Sequence, residues 1–406
     1  MSNKAMETAL GIVTSVGGFL EIGSITTAAQ AGGMFGYQLV WAVVLGGVCV
    51  AFLVEQSGRL AAVSHVTIPD AIRERFGFNY YFVLLLVMSV VSLLVLAAEL
   101  GGVCIALEFA SGIPHQWWVL PVAALAWLIM WKGTFELIER GVSVLGLVTL
   151  CFVVGAVMSN PDWSALTRYL QPTLPTHDGA RYWFIAVSIL GASITPYLMF
   201  FYSSGAIEDK WDRSYIKANR AIAAFGMGFG TLISIGVLVV AAGVFEPRGI
   251  HVDDYSQLAL LLTHVFGRWG FILVIASLAI ACLGAALEVT LEIAYMFAQG
   301  LGWNWSENQR PRAEARFSAT YTAVLVLAAL LLLVGLDPFK LTTVSMALTA
   351  ATLPVAIVPF LVLMNDRHYV GEHVNGWLSN AVVIAVTALA CVLALVTLPL
   401  ELAGGS

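Results

Sequence analysis

The sequence predicts an all-α integral membrane protein, and two observations support this class. Of its 406 residues, 60% are hydrophobic and 11% are charged, and the mean hydropathy is +0.89. In a soluble domain, roughly a quarter of the residues are charged. The apolar residues also fall into stretches of about 20, the length that a helix needs to cross a bilayer. We therefore expect a single transmembrane domain over residues 1–400, without a soluble domain or a basic nucleic-acid-binding patch.

The apolar stretches predict about eleven transmembrane helices. Their approximate ranges are 9–33, 37–58, 80–108, 116–132, 139–158, 182–205, 216–245, 266–299, 314–335, 340–364 and 376–400. With the N-terminus inside, 14 of the 19 Lys and Arg residues lie on the cytoplasmic side. This bias predicts a cytoplasmic N-terminus and an external C-terminus. We expect the protein in the inner membrane of a prokaryote.

The first span carries polar residues that a helix facing lipid would not tolerate. Between Val16 and Gly33 it contains the carboxylate of Glu21, the hydroxyl of Ser24 and five glycines. An ionised group at membrane depth is costly, and so are unpaired backbone groups. We therefore predict a broken helix that lines a cavity, with Glu21 and freed carbonyls directed at a ligand.

The sixth span predicts a second break. Pro196 removes one helical donor and clashes with the preceding turn, so the helix should break between Ser193 and Pro196 and free the Thr195 hydroxyl to coordinate. A simple kink is the alternative for Pro196 alone. Broken helices in corresponding halves indicate an inverted-repeat transporter with its site at the membrane midplane. Repeat one would cover about 9–158 and repeat two about 182–364, with 376–400 as an extra helix.

Two smaller features predict structural roles. The five cysteines lie in apolar segments without a CxxC spacing, so we interpret them as small buried side chains. Neither a cysteine nor a histidine is expected within reach of the breaks. Glu55 lies one turn before Arg59 at the end of the second span and should form an ion pair with it.

Several motifs resemble the Nramp family, the natural resistance-associated macrophage protein metal transporters. They are Gln30–Trp41, Ala71–Gly77, Ala98–Gly102 and Asn365–Gly371, the last followed by Asn375 and Gly376. The resemblance covers nearly the whole chain. It implies a LeuT-like fold with a five-plus-five inverted repeat, broken helices 1 and 6, and an eleventh helix.

The resemblance also identifies departures from the family's metal-binding motifs. The first-helix motif Asp-Pro-Gly-Asn corresponds to Glu21-Ile-Gly-Ser24, so an acid and an oxygen donor are kept. The sixth-helix motif Met-Pro-His corresponds to Thr195-Pro-Tyr197, so a thioether and an imidazole are lost. The tenth-helix Gln that can face the metal falls on Met346.

The predicted donors at the breaks are all hard oxygen atoms. Glu21, Ser24, Thr195 and carbonyls near Ser193 suit Mg²⁺, Ca²⁺ or Mn²⁺ better than later transition metals. The family has a magnesium-transporting branch that lacks the same Met. The sequence therefore favours Mg²⁺ as the transported substrate, with Mn²⁺ second, and implies no cofactor. Met346 is the contrary signal, since a thioether could contact a softer ion as a peripheral ligand.

Three membrane-embedded carboxylates are candidates for a proton path or a second cation site. Glu99 lies in the third span, and Glu288 and Glu292 lie four residues apart on one face of the eighth. A structural hydrogen bond is the alternative for each. Because Leu96 and Tyr197 replace the aspartate and imidazole of the family's proton path, the sequence favours uncoupled uptake over a rerouted proton path.

Two other functions stay open. The rings of Tyr197, Phe200, Phe201 and Tyr202 follow the second break and could support a small organic cation by cation–π contact. A proton-coupled Mn²⁺ or Fe²⁺ transporter is the other alternative. The spans contain neither an HExxH motif nor an aspartate pair, so no enzyme is predicted. The expected partners are the lipid bilayer and the transported cation or solute.

Overall fold

The computed structural model describes residues 21–132, 146–306 and 309–404, and every regular element among them is a helix. The helices are α1 (Ile22–Phe35), α2 (Val40–Ser64), α3 (Ile68–Phe76), α4 (Phe78–Ser111), α5 (His115–Lys132), α6 (Leu150–Met158), α7 (Trp163–Arg168), α8 (Gly179–Ser193), α9 (Pro196–Glu208), α10 (Ile216–Val244), α11 (Tyr255–Ala259), α12 (Thr263–Phe266), α13 (Arg268–Leu301), α14 (Ala315–Leu333), α15 (Pro338–Asn365), α16 (Arg367–Val370) and α17 (Trp377–Gly404). Three single-turn 3₁₀ helices lie at Leu147–Thr149, Arg213–Tyr215 and Glu246–Arg248. Two parts of the predicted spans, 9–20 and 139–145, lie outside the described residues.

The membrane class is confirmed by the helix lengths. Among the described residues, eight helical stretches are long and apolar enough to cross a membrane, and the broken pair α8–α9 counts as one of them. Each of the predicted spans overlaps a described helix. The count of eleven crossings and the inverted repeat stay predictions.

The helices pack in two groups, which α15 joins and which also meet where α9 packs on α13. In the first group, α10 packs along α1 and α2, α9 packs on α2, and α8 packs on α1. The second group is built around the long helices α4 and α13, with α5 and α14 beside them. Helix α15 contacts α4 on one side and α8 on the other. This arrangement places the two broken helices within the first group and the polar face of α13 within the second.

Glycine allows neighbouring helices to approach closely. A Cβ atom at Gly191 would lie 1.9 Å from the carbonyl oxygen of Met346, and one at Gly32 would lie 2.2 Å from the carbonyl oxygen of Leu238. Backbones approach this closely only where a side chain is absent. Gly191 thus brings the end of α8 against the middle of α15, next to the second break.

A short amphipathic helix, α3, connects α2 to α4. The Thr67 side chain accepts a hydrogen bond from the Asp70 amide at its start, and Pro69 occupies the first turn. The helix ends at Gly77, whose φ of 83° suits glycine.

Candidate substrate site at the two helix breaks

The second predicted break is present in the structure, and at the first the structure describes the helix start at Glu21 and Ile22. Helix α1 begins at Ile22, directly after Glu21, which is extended with φ −120° and ψ 168°. Helix α8 ends at Ser193 and α9 begins at Pro196, so two residues between them leave the helical geometry. Proline is suited to the first turn of α9, where its missing N–H would have had no helical partner.

The Glu21 side chain is fully buried and points to the second break. The Tyr197 hydroxyl, in the first turn of α9, donates a hydrogen bond of 2.9 Å to Glu21 Oε2. The other carboxylate oxygen, Oε1, has no hydrogen-bond partner in the part of the chain that the structure describes. Burying such an oxygen without a partner is costly, so this position is suited to a cation, a proton or water.

Ser24 fixes the backbone of Glu21. Its hydroxyl donates to the Glu21 carbonyl over 2.9 Å and accepts from the Glu21 amide over 3.2 Å. The second bond gives the Glu21 amide a partner at the start of the helix, as in a capping box. Ser24 therefore holds Glu21 in place from the first turn of α1, and direct coordination of a substrate by its hydroxyl stays a prediction.

Glu99 of α4 reaches the same helix start from the second group of helices. Its Oε1 accepts a hydrogen bond of 3.0 Å from the Ile22 amide, and its side chain is fully buried. It lies close enough to Glu21 for the two carboxylates to interact electrostatically. Free amides and the helix dipole favour negative charge at a helix N-terminus. The structure thus gathers two acids from different helix groups at one break.

Cys282 of α13 also reaches Glu99, and the sequence analysis missed it. The Cys282 thiol contacts the Glu99 carboxylate. A Cβ atom at Gly102 would lie 2.6 Å from Cys282 Sγ, so this glycine leaves room for the thiol. Cys282 is buried, as predicted, but the expectation that no cysteine lies near the breaks is wrong. Gly102, three residues after Glu99 on the same face of α4, signals the close approach of another helix but not which residue approaches.

The other predicted ligands, Met346, Ser193 and Thr195, lie in different surroundings. Met346 is fully buried over the first turn of α1, where a Cβ atom at Gly23 would lie 2.5 Å from its sulfur. The Ser193 side chain instead packs against α2: a Cβ atom at Gly46 on that helix would lie 2.7 Å from the Ser193 hydroxyl oxygen. Thr195 is buried at the N-cap of α9, where its side chain makes no capping bond. The Ser193 carbonyl and the Thr195 hydroxyl stay predicted ligands of the site.

The two carboxylates of α13 continue from the breaks along the α4–α13 interface. Glu288 interacts electrostatically with Glu99 and with Tyr197. Glu292 lies four residues further on, fully buried, and the Ser92 hydroxyl of α4 approaches it. Neither Glu292 oxygen makes a hydrogen bond of ordinary length to the described residues. Glu288 thus belongs with the acids at the breaks, and Glu292 lies beyond it.

The aromatic rings after the second break point in different directions. Tyr197 contacts the carboxylate at the first break. Phe201 packs against Tyr295 with 6.3 Å between ring centroids, and the Tyr202 hydroxyl donates to Asn219. A cage for an organic ammonium would need several of these rings around one point. Their separate contacts count against that alternative.

The predicted donors at the breaks are oxygen atoms of side chains and backbone carbonyls. Within the described ranges, no group of three or more His, Cys, Asp or Glu side chains is arranged to hold a metal ion. Two carboxylates, a hydroxyl and carbonyl oxygens are nevertheless the ligands that Mg²⁺ and Mn²⁺ accept, with water completing the shell.

Comparisons with known proteins agree with this architecture. The model of the Nramp family, described as natural resistance-associated macrophage protein-like, matches residues 11–399. The divalent metal cation transporter MntH of Deinococcus radiodurans is 23% identical over 386 residues, which is 91% of this chain and 85% of the relative. A mutant of the Eremococcus coleocola manganese transporter superimposes with a TM-score of 0.79 at 19% identity, covering 98% of this chain and 87% of that one. The nucleobase-cation-symport-1 family transporter MHP1 does so with 0.65 at 14% identity, covering 96% and 91%. These neighbours establish the LeuT-like fold.

Proposed function

The chain belongs to the Nramp family, and from this premise we propose that it is a secondary transporter of a hard divalent cation, with Glu21 as the main ligand. The relative from D. radiodurans is named a divalent metal cation transporter, and the E. coleocola protein of the same fold is a manganese transporter. These relatives do not support the magnesium-first order that the sequence favoured. We therefore propose Mn²⁺ as the first candidate and Mg²⁺ as the second.

The observation that carries this proposal is the buried carboxylate of Glu21, held at the break with one oxygen free of described partners. Tyr197 and Ser24 fix the orientation of Glu21, so cation binding loses little conformational entropy of this side chain. Glu99 places a second carboxylate close by. Two carboxylates balance the charge of a divalent ion, whereas a monovalent ion would leave one buried charge uncompensated.

The same geometry supports alternating access by movement of one helix group against the other. Glu21 and Tyr197 belong to the group of α1, α2, α8, α9 and α10, and Glu99 belongs to the group of α4 and α13. A cation bound between them contacts both groups. Its binding therefore changes the relative stability of their arrangements, which a transported substrate must do.

We further propose that the gradient of the cation drives uptake, in the inner membrane of a bacterium with the N-terminus in the cytoplasm. Tyr197 and Leu96 stand at positions where the family carries groups of its proton path, which supports uncoupled transport. Glu99, Glu288 and Glu292 are the groups through which a proton would pass in the alternative mechanism.

Uptake into proteoliposomes tests the proposal. We expect uptake of Mn²⁺ and Mg²⁺, but not of an organic amine, and rates that an inward proton gradient changes little. Glu21→Gln should lower Mn²⁺ uptake at least about tenfold, because it removes one full charge from a buried ligand. Glu372→Gln, on an exposed loop, is the matched control. Uptake of the amine alone, or unchanged metal uptake by Glu21→Gln, would refute the assignment.

A further inference from the structure

An apolar groove lies on the outer side of α2 and α10, beside the loop that leads into α17. It has a volume of about 600 Å³ and is lined by one face of α2, from Val44 to Arg59, and one face of α10, from Arg220 to Thr231. Val374, Gly376 and Ser379, around the start of α17, complete the lining. The two helices touch beneath it, since a Cβ atom at Gly47 would lie 2.0 Å from the Thr231 hydroxyl oxygen. The groove is therefore a surface feature with a closed floor, separate from the site at the breaks.

The length of the groove along the helix axis corresponds to the thickness of one leaflet of a bilayer. The wall from Arg220 to Thr231 is a continuous part of α10 and rises about 16 Å along the helix axis. This is about half of the ~30 Å hydrocarbon core. Val48 on its rim is 42% exposed, as expected for a side chain that faces lipid. An extended acyl chain of one leaflet therefore fits its direction and length.

Charged groups are confined to one end of the groove. Arg59 is buried and forms the predicted ion pair with Glu55, at 3.0 Å, while its other donors bind the His373 carbonyl and Asn375. Arg220 donates from Nε to Glu55 over 3.3 Å, and its side chain remains 63% exposed. Two guanidinium groups thus face one carboxylate. The surplus positive charge lies on Arg220, at the rim.

A second cation extends this rim. Lys217 is exposed and lies three residues before Arg220 on α10, which places both side chains on one face of the helix. The positive-inside count predicts that this end of the groove is cytoplasmic. Basic residues at that membrane surface attract anionic lipid head groups.

From the groove and its charged rim, we propose that this chain binds an anionic phospholipid of the inner leaflet. One acyl chain lies along the groove between α2 and α10, and the phosphate contacts Arg220 and Lys217. A neutral lipid fills the same apolar space without using the rim cations, so the head-group preference separates the two. This inference is independent of the transported ion.

Lipid binding to the purified full chain in detergent tests the proposal, by native mass spectrometry and by thermal unfolding. Phosphatidylglycerol should bind more tightly, and raise the unfolding temperature more, than phosphatidylcholine with the same acyl chains. Arg220→Gln should weaken phosphatidylglycerol binding about fivefold, the effect of one basic residue, and leave phosphatidylcholine unchanged. Arg220→Lys should retain the preference. Arg312→Gln, an exposed arginine outside the groove, is the control for charge alone.

A second variant tests the groove itself. A Cβ atom at Gly228, which lines the groove, meets no atom within 4 Å, so Gly228→Leu adds a side chain to the groove at a position that has room for the Cβ. We expect this variant to fold and to lose tight binding of both lipids. Equal binding of the two lipids by the wild type would overturn the proposal, as would wild-type phosphatidylglycerol binding by Gly228→Leu or Arg220→Gln.

Discussion

At the scale of single residues, the Tyr197 hydroxyl is the group that orients the proposed main ligand. Its 2.9 Å hydrogen bond to Glu21 Oε2 satisfies one of two buried carboxylate oxygens. Without it, both oxygens lack a described partner, and a buried unsatisfied polar group costs about 1–3 kcal/mol. The orientation of Glu21 would then have to be fixed when the cation binds.

We therefore expect Tyr197→Phe to raise the KM for Mn²⁺ about tenfold while the protein still folds, because ~1.4 kcal/mol corresponds to a factor of ten. Tyr202→Phe is the matched control, since the Tyr202 hydroxyl bonds Asn219 and not Glu21. Initial uptake rates over a range of Mn²⁺ concentrations measure both variants. An unchanged KM in Tyr197→Phe would show that the hydroxyl does not prepare the site.

Two sulfur atoms next to the breaks bear on ion selectivity. Met346 covers the first turn of α1, and Cys282 contacts Glu99. Sulfur ligands favour soft ions, and Mg²⁺ gains nothing from them. If the Met346 thioether reaches the cation, Cd²⁺ should compete strongly for Mn²⁺ uptake by the wild type.

Met346→Leu should then weaken inhibition by Cd²⁺ several-fold and leave inhibition by Mg²⁺ unchanged, because leucine keeps the volume and removes the sulfur. Met227→Leu, at a buried methionine of α10, controls for repacking. Competition curves for the two ions give the comparison. Equal sensitivity to Cd²⁺ in wild type and Met346→Leu would assign this side chain to packing alone.

At the scale of helices, the contact between α8 and α15 determines where the second break lies. Gly191 is two residues before the end of α8, and its Cα faces the Met346 carbonyl without an intervening side chain. Any side chain here pushes α8 away from α15. Because Met346 itself covers the first break, the displacement affects both broken helices.

Gly191→Ala should destabilise the protein by about 1–3 kcal/mol or more, the cost of overpacking a close contact, and should reduce transport. Gly243→Ala is the control: its nearest atoms are 3.9 Å from the new Cβ, and alanine gains up to about 1 kcal/mol of helix propensity. Unfolding in detergent, followed with uptake assays, compares the two. Equal stability of both variants would mean that α15 can shift at little cost.

The positions of the helices could be predicted from the sequence, whereas their rotation against each other could not. The helix ranges and both breaks follow from local features, the length of apolar stretches, Pro196 and the carboxylate among glycines in the first span. The contact between Cys282 and Glu99 and the turn of Ser193 toward α2 depend on how helices rotate against each other. That rotation is decided by close contacts such as Gly102 and Gly46 with partners far away in the chain. No local pattern reports those partners.

At the scale of the whole molecule, the two acids at the first break belong to different helix groups. Glu21 precedes α1, and Glu99 lies in α4, whose main partner is α13. A divalent ion that binds both acids therefore links the groups, and removal of either acid should break the link. A ligand at 100 times its Kd stabilises the folded state by about 2.7 kcal/mol.

We therefore expect saturating Mn²⁺ to raise the unfolding temperature of the wild type, and Glu21→Gln and Glu99→Gln each to abolish most of this shift. Glu108→Gln is the control, because Glu108 lies on α4 like Glu99 but pairs with His115 at the far end of the helix. Loss of the shift only in Glu21→Gln would place the cation wholly within the first helix group. The ion would then travel with the moving helices, and Glu99 would serve to cap α1 through the Ile22 amide.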